Sequence, residues 1–410
     1  MSKASVAIVV QRCHESVIGG SETYAWHHAK LLREPYHVDV LTTTAVDAGT
    51  WANHLPVGKE EREGISIRRF EVTYGRTPYW YLVNKRLGSA VEKMQGSDLL
   101  RNTKNGGGPL AHWTLALQEE YIRKQGPYSK GLLRFLEKNA VRYKSVIFIT
   151  YLFPTTYFGM LECPKEKCLL VPTLHDEPPA YLPAYRYMAT RARELLWNTD
   201  AERAFSTALW GDLPGKVLGM SINTEAYDPL KLDYPYLLYS GRIDPYKGCS
   251  MLIEYFLKFK EKHPSRLKLI LTGHQEMALP DVPEIEVRGF VTEEEKFRLM
   301  SGALLCVMPS THESLSVVTL EAMAQSTPVL VNGRCQVLVE HIEHSDCGIT
   351  FDGYRDFSKA LRKAMAGKVD LAQMGRKGRA YVADRFSFAK IQNVLIRCIE
   401  GCDGSLNEPF

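Results

Sequence analysis

Apolar and polar positions alternate in two registers along this chain, short continuous apolar runs and longer stretches with helical spacing. In the first half, "SVAIVV", "HVDVLTT", "ISIRRFEV", "SVIFIT" and "CLLVPTL" read as buried strands. Between the first two, "SETYAWHHAKLL" reads as a helix capped by Ser21. Such β/α alternation predicts a parallel sheet covered by helices on both faces. From Tyr74 to Asn139 the pattern changes. "TPYWYLVNKRLGSAVEKM" and "LAHWTLALQEEYIRKQ" are helical and aromatic, separated by the break "NGGGP". They predict a helical insertion, with aromatic faces that either fill a core or line a pocket. One long helix is expected over "AYRYMATRARELLWNTDAERAF", its arginines on a solvated face.

The pattern weakens at "LPGKVLGMSINTEAYDPLKLDYP" and then resumes. Strands are expected at "YLLYSG", "LKLILTG", "EIEVRG", "LLCVMPS", "PVLVNG" and "GITF". Helices are expected at "SMLIEYFLKFKEK", "EEEKFRLMSGA", "LSVVTLEAMA" and the terminal "SFAKIQNVLIRCIEG". The fold class is therefore α/β with two doubly wound Rossmann-like domains, expected to face each other across a cleft. The expected division is 1–219, with the insertion at about 74–139; a linker at 220–235; 236–388; and a terminal helical segment, 389–410, packing back on the first domain.

At 410 residues and net charge +4, the chain has ample core and too little positive charge to argue for nucleic acid. Nine scattered cysteines favour reduced thiols over a disulfide framework. "CPKEKC" (Cys163, Cys168) and "CIEGC" (Cys398, Cys402) lack zinc spacing. "EHIEHSD", with His341, His344 and Asp346, reads as a solvated helix end. The first apolar run is short for a secretory signal, and no run reaches membrane-spanning length. A cytoplasmic protein is expected, with peripheral contact at the inner face of a membrane left open.

Four polar clusters follow predicted strands, the edge where open α/β sheets bind ligands. Gly19 and Gly20 precede the first helix, where free N–H groups attract a phosphate, or where a plain tight turn suffices. His175, Asp176 and Glu177 stand in a proline-framed loop. Arg242 and Lys247 share "SGRIDPYKG", two cations suited to a diphosphate. In "HESLSVVTLEAMA", Glu313 falls in the loop after a strand, Ser314 or Ser316 can cap the next helix, and Glu321 lies about one and a half turns inside it. No Asp-x-Asp occurs, so the cations themselves would neutralise a leaving group.

"GGSE", "SGRIDPYKG", "VRGFVTEEE", "HESLSVVTLEAMAQSTPV" and "CGITF" resemble, in order, the blocks of the retaining, nucleotide-sugar-dependent glycosyltransferases of family 4. "LHDEP" matches less firmly, and the Tyr74–Asn139 stretch has no transferable motif. The resemblance implies the GT-B fold and a role for each matching position. Gly20, shaped by Gly19, would meet the donor diphosphate, and Arg242 and Lys247 would neutralise it. Glu313 would touch the donor sugar, His175 would contact it from the amino-terminal domain, and Glu321 would hold the ribose. Backbone N–H groups of Ser316 and Val317 would cap the phosphates, Ser314 and Leu315 would be donor-binding beside them, and Phe290–Val291 would hold the base. Ser316 departs from the family's common glycine.

The expected activity is metal-independent transfer from a nucleotide sugar, taken as UDP-linked, to a hydroxyl of a saccharide, lipid-linked saccharide or small molecule. The co-substrate is the nucleotide sugar, with no other cofactor and no metal site. A GT-B epimerase and a non-catalytic nucleotide-sugar-binding protein are the alternatives.

Overall fold

The computed structural model describes residues 3–17, 19–92, 110 and 112–401, in two compact units: Met1–Met220 with Gln392–Phe410, and Ser221–Ile391. The "NGGGP" break and Cys402 lie outside the described residues.

The first unit runs β1 (Ser5–Val9), α1 (Gly20–Leu32), β2 (His37–Thr43), β3 (Gly58–Arg62), β4 (Ile65–Phe70), α2 (Pro78–Glu92), α3 (Leu115–Gln125) and α4 (Lys130–Asn139). It continues with β5 (Val146–Ile149), α5 (Pro154–Glu162), β6 (Cys168–Val171), α6 (Pro183–Ala189), β7 (Glu194–Trp197), α7 (Asp200–Trp210) and β8 (Gly215–Val217). Among the described residues the strands form one sheet, ordered β3-β4-β2-β1-β5-β6-β7-β8, parallel except for the β3–β4 pair. The central strands are buried along their length, which is why they read as unbroken apolar runs.

Three expectations change here. β3, "GKEER", carries no apolar signal because it is an exposed edge, where charge blocks further pairing. It pairs with β4 through a two-residue turn, Glu63–Gly64, with both residues at positive φ. The single long helix expected over 184–205 is instead α6, β7 and α7. Leu195, Leu196 and Trp197 are fully buried in the sheet, and Thr199 caps α7 by accepting from the Glu202 N–H at 3.1 Å. Tertiary burial overrides helical spacing in so short a run. Finally, α1 begins at Gly20 with Gly19 at the cap position, and Ser21 is not its cap. The Ser21 hydroxyl lies 2.7 Å from Gln11 Nε2 and donates to Glu22 instead.

Helices α2–α4 occupy the stretch without motifs. Trp80 and Tyr121 are buried in the unit's main core, and the exposed Tyr79, Tyr81 and Leu82 lie outside it.

The second unit comprises β9 (Tyr236–Ser240), α8 (Cys249–Lys262), β10 (Lys268–Thr272), β11 (Ile285–Gly289), α9 (Glu293–Gly302), β12 (Leu305–Met308), α10 (Val317–Ala324) and β13 (Val329–Asn332). It ends with α11 (Gln336–Ser345), β14 (Gly348–Phe351), α12 (Tyr354–Met365) and α13 (Leu371–Arg385). The sheet is parallel throughout, ordered β11-β10-β9-β12-β13-β14. Its order reverses between β9 and β12, the point where such sheets leave a crevice at their carboxyl ends. The last helix, α14 (Phe388–Glu400), belongs to the first unit from Gln392 onward. There Gln392 Nε2 donates to the Leu31 carbonyl at 2.6 Å and Glu400 pairs with Lys144.

Candidate active site

Two loops meet at the crevice of the second unit. After β9 the chain turns through Gly241 and closes on Gly248, at φ +79°. A Cβ at Gly248 would fall 2.5 Å from the Pro309 carbonyl oxygen, so glycine lets the β9 loop lie against the loop after β12. Within this turn Asp244 is nearly inaccessible. It accepts the Lys247 backbone N–H at 2.8 Å and pairs with Arg242 Nε at 2.5 Å. Arg242 is half exposed and uses only Nε in that pair, which leaves the terminal nitrogens of its fork for a ligand. Lys247 Nζ reaches the other loop and donates to Glu313 Oε1 at 2.7 Å. An ammonium has three donors, so holding Glu313 leaves two for an incoming anion.

The β12 loop ends at Ser316, in a left-handed conformation at φ +59°, and α10 starts at Val317. The expected serine cap is corrected here. Ser316 occupies the cap position but gives the helix no side-chain bond; its hydroxyl lies 2.8 Å from Thr319 Oγ1. The first N–H groups of α10 keep no intrahelical partner and form an anion-binding end. Leu315 is buried, and its carbonyl accepts a hydrogen bond from His341 Nε2 at 2.7 Å. Since a carbonyl only accepts, Nε2 carries the hydrogen and Nδ1 accepts from the Tyr381 hydroxyl at 2.9 Å. Burial lowers the His341 pKa to about 4, so the ring is neutral. His341 was expected on a solvated helix end, but α11 turns it fully inward.

One turn further along α10, Glu321 Oε1 accepts from Lys296 Nζ of α9 at 2.7 Å. Its Oε2 is buried with no hydrogen-bond partner. Burial raises the Glu321 pKa above the usual carboxylate range, and the Lys296 ammonium only partly offsets it. A carboxylate with one oxygen fixed and one unmet is suited to a hydroxyl donor. At the end of β11, Phe290 is 62 % exposed and stacks on His274, ring centres 6.0 Å apart, with Val291 half-buried beside it.

The remaining expected residues lie in the first unit. Gly20 is exposed, with nothing within 4 Å of the place a Cβ would take, so a ligand can approach its backbone. Gly19 is needed for space: a Cβ there would meet Glu22 Oε2 at 2.2 Å. Glu22 is buried, and Arg12 at 2.6 Å compensates its charge. His175 is half-exposed, 3.7 Å from Glu177 Oε2, and Tyr151 donates to Glu177 Oε1 at 2.6 Å. The buried Glu202 carboxylate fixes this loop by accepting the Leu174 N–H at 2.5 Å. Among the described residues, the cysteines are free and no cluster of His, Cys, Asp and Glu could hold a metal ion.

Residues 225–381 match the family model of glycosyl transferases group 1. Over these residues the chain is similar to the glycosyl transferases group 1 family. An uncharacterized glycosyltransferase of Methanocaldococcus jannaschii is 34% identical over 124 residues, 28% of this chain and 32% of that protein. A D-inositol 3-phosphate glycosyltransferase of Kribbella flavida is 29% identical over 219 residues, 45% of this chain and 51% of that protein. These alignments thus span about a third to a half of the relatives' length. Sucrose-phosphate synthase from Thermosynechococcus elongatus superposes with TM-score 0.69 at 16% identity, covering 97% of this chain and 99% of that one. Anabaena HepE, in complex with UDP and glucose, gives 0.65 at 15% identity, covering 97% and 100%. The fold is therefore GT-B.

The β9 and β12 loops bring Arg242, Lys247, Glu313, Leu315 and Ser316 together at one sheet edge. Glu321 follows on the same helix. Three contributors went unrecognised in the sequence. Asp244 had a signal, since Asp-Pro before a tight turn is a capping pattern. Lys296 sits in "EEEKF", which reads only as a charged helix face, and the burial of His341 had no local signal.

Proposed function

We propose that the protein transfers a sugar from a nucleoside-diphosphate sugar to an acceptor hydroxyl with retained anomeric configuration. UDP is taken as the carrier, because UDP is named in the HepE complex. The supporting observation is the pairing of Lys247 with Glu313 at 2.7 Å beside a helix start, with an unmet carboxylate oxygen of Glu321 one turn further on. These groups suit three successive parts of one ligand.

The ribose hydroxyls donate to Glu321 Oε2, which removes the penalty of its unmet burial. The diphosphate lies against the N–H groups at Ser316 and Val317, with the Arg242 fork and Lys247 ammonium beside it. Glu313, held by Lys247, meets the hydroxyls of the donor sugar. As the bond from the anomeric carbon to the phosphate oxygen breaks, negative charge grows on the diphosphate. Arg242, Lys247 and the helix N–H groups stabilise that charge without having to reorganise. The acceptor oxygen then bonds to the anomeric carbon on the face the diphosphate leaves, and its proton passes to the departing phosphate oxygen. Gly20 and His175 complete the donor contacts in this proposal, and the first unit carries the acceptor. The deciding experiment is radiolabelled sugar transfer from UDP-sugars to a panel of acceptors with purified protein. Absence of both transfer and donor hydrolysis, despite tight UDP binding, overturns it in favour of a binding protein.

A further inference from the structure

The first unit contains a cavity of about 550 Å³, lined in large part by the stretch without motifs. Its size falls within the range of small-ligand sites. One wall is α2, whose Trp80, Asn84 and Gly88 recur every fourth residue and therefore share a face. A Cβ at Gly88 would meet nothing within 4 Å, so this face is open there. The opposite wall comes from the segments after β5 and β6, at Phe153 and Glu177, the ligand-binding edge of a parallel sheet.

Two buried polar atoms belong to residues of this wall. Trp80 is 8% exposed and Gln125 2% exposed, yet Trp80 Nε1 and Gln125 Oε1 have no hydrogen-bond partner. One is a donor and the other an acceptor. Arg76 bridges the two residues: its Nε donates to the Gln125 carbonyl at 3.2 Å, and its guanidinium lies 4.5 Å from the Trp80 ring centre. Asn84 accepts the Tyr121 hydroxyl through Oδ1 at 2.7 Å, which leaves its amide N–H groups as donors. Formal charge is balanced, with Arg76 and Lys85 against Glu92 and Glu177. A phosphate would need surplus positive charge, which this lining lacks.

We infer that this cavity binds an uncharged saccharide, its hydroxyls pairing with the mixed donors and acceptors around Trp80, Gln125 and Asn84. A hydroxyl both donates and accepts, so one sugar ring can satisfy both unmet atoms. That the sugar is the acceptor of the transferred group rests on the glycosyl-transfer proposal; that it binds here does not.

The test uses the full chain without donor and a panel of neutral mono- and disaccharides with their 6-phosphates, read by calorimetry and tryptophan fluorescence. At least one neutral sugar should bind saturably and more tightly than its phosphate. Trp80→Phe, which removes the N–H, and Ser89→Trp, which fills the cavity from an exposed helix position, should each weaken it about tenfold or more. UDP affinity should stay unchanged in both. The inference falls if no neutral saccharide binds, if the phosphates bind more tightly, or if neither variant weakens binding. Saccharide binding that depends on Trp80 without any sugar transfer leaves the cavity assignment standing and removes the transferase proposal.

Discussion

Glu321→Gln isolates the proposed ribose contact. In the free protein Oε1 is held by Lys296 and Oε2 is buried and unmet. A bound ribose supplies Oε2 with a charge-assisted hydrogen bond worth about 1.5–3 kcal/mol, or roughly 10- to 150-fold in affinity. Glutamine cannot keep both charge-assisted contacts. If its oxygen stays on Lys296, only a neutral N–H₂ is left to donate to the ribose hydroxyl; if it turns over, two donors face each other at Lys296. UDP affinity measured by calorimetry should therefore fall within that range. The same experiment with 2′,3′-dideoxy-UDP supplies the control: the dideoxy ligand should bind more weakly than UDP to the parent, and the difference should be smaller in Glu321→Gln. Acidity gives a second handle. Burial holds the Glu321 pKa above the ordinary range, and the ribose favours the ionised form, so UDP affinity should drop as pH is lowered through that pKa. The variant should lose that dependence. Equal loss from removing the ribose hydroxyls in both proteins refutes the assignment.

Arg242→Ala and Lys247→Ala should each reduce turnover about 100- to 1,000-fold with circular dichroism unchanged, since each removes a donor aimed at developing charge; near-normal rates in both would end the proposed mechanism. Gly248→Ala should destabilise the protein by at least about 2 kcal/mol in urea unfolding, because its φ of +79° disfavours a side chain and the Cβ would strike the Pro309 carbonyl. Stability should fall on acidification as His341, with its pKa lowered from 6.5 to about 4, takes up protons on unfolding. The loss begins as pH drops through 6.5, levels off below about 4 and amounts to about 3 kcal/mol; a His341→Leu variant should show a shallower slope across that window. Sugar transfer should proceed equally with chelator and with added magnesium or manganese, and a return of activity only with the metal would overturn the cation-only account.

What the sequence made legible follows burial. Parallel strands covered on both faces must be apolar throughout, so β1, β2, β5, β9, β10 and β12 were readable. β3 was not, because an exposed edge strand carries charge in place of that signal. β7 was misread because Leu195, Leu196 and Trp197 are as compatible with a helix face as with a four-residue strand. Only the Thr199–Glu202 cap, just beyond it, marks a fresh helix start.

The site divides in the same way, by whether the interacting partners are near or far in sequence. Asp244, Lys247 and Gly248 lie within one turn, so a dipeptide signal and a glycine expose their roles. The two acids at 313 and 321 were legible as a spacing, but the charges that hold them were not: Lys247 is 66 residues from Glu313, and Lys296 is 25 residues from Glu321. Each pair forms because the topology sets neighbouring elements side by side, β9 next to β12 and α9 next to α10. The two acids consequently differ in what they hold in reserve. Glu313 leaves Lys247 with unused donors for an anion, whereas Glu321 keeps an unused acceptor for a hydroxyl. Reversing either pair would leave the diphosphate facing a carboxylate or the ribose facing an ammonium. On the proposed reading, the order of charges along the crevice fixes which end of a nucleotide enters where.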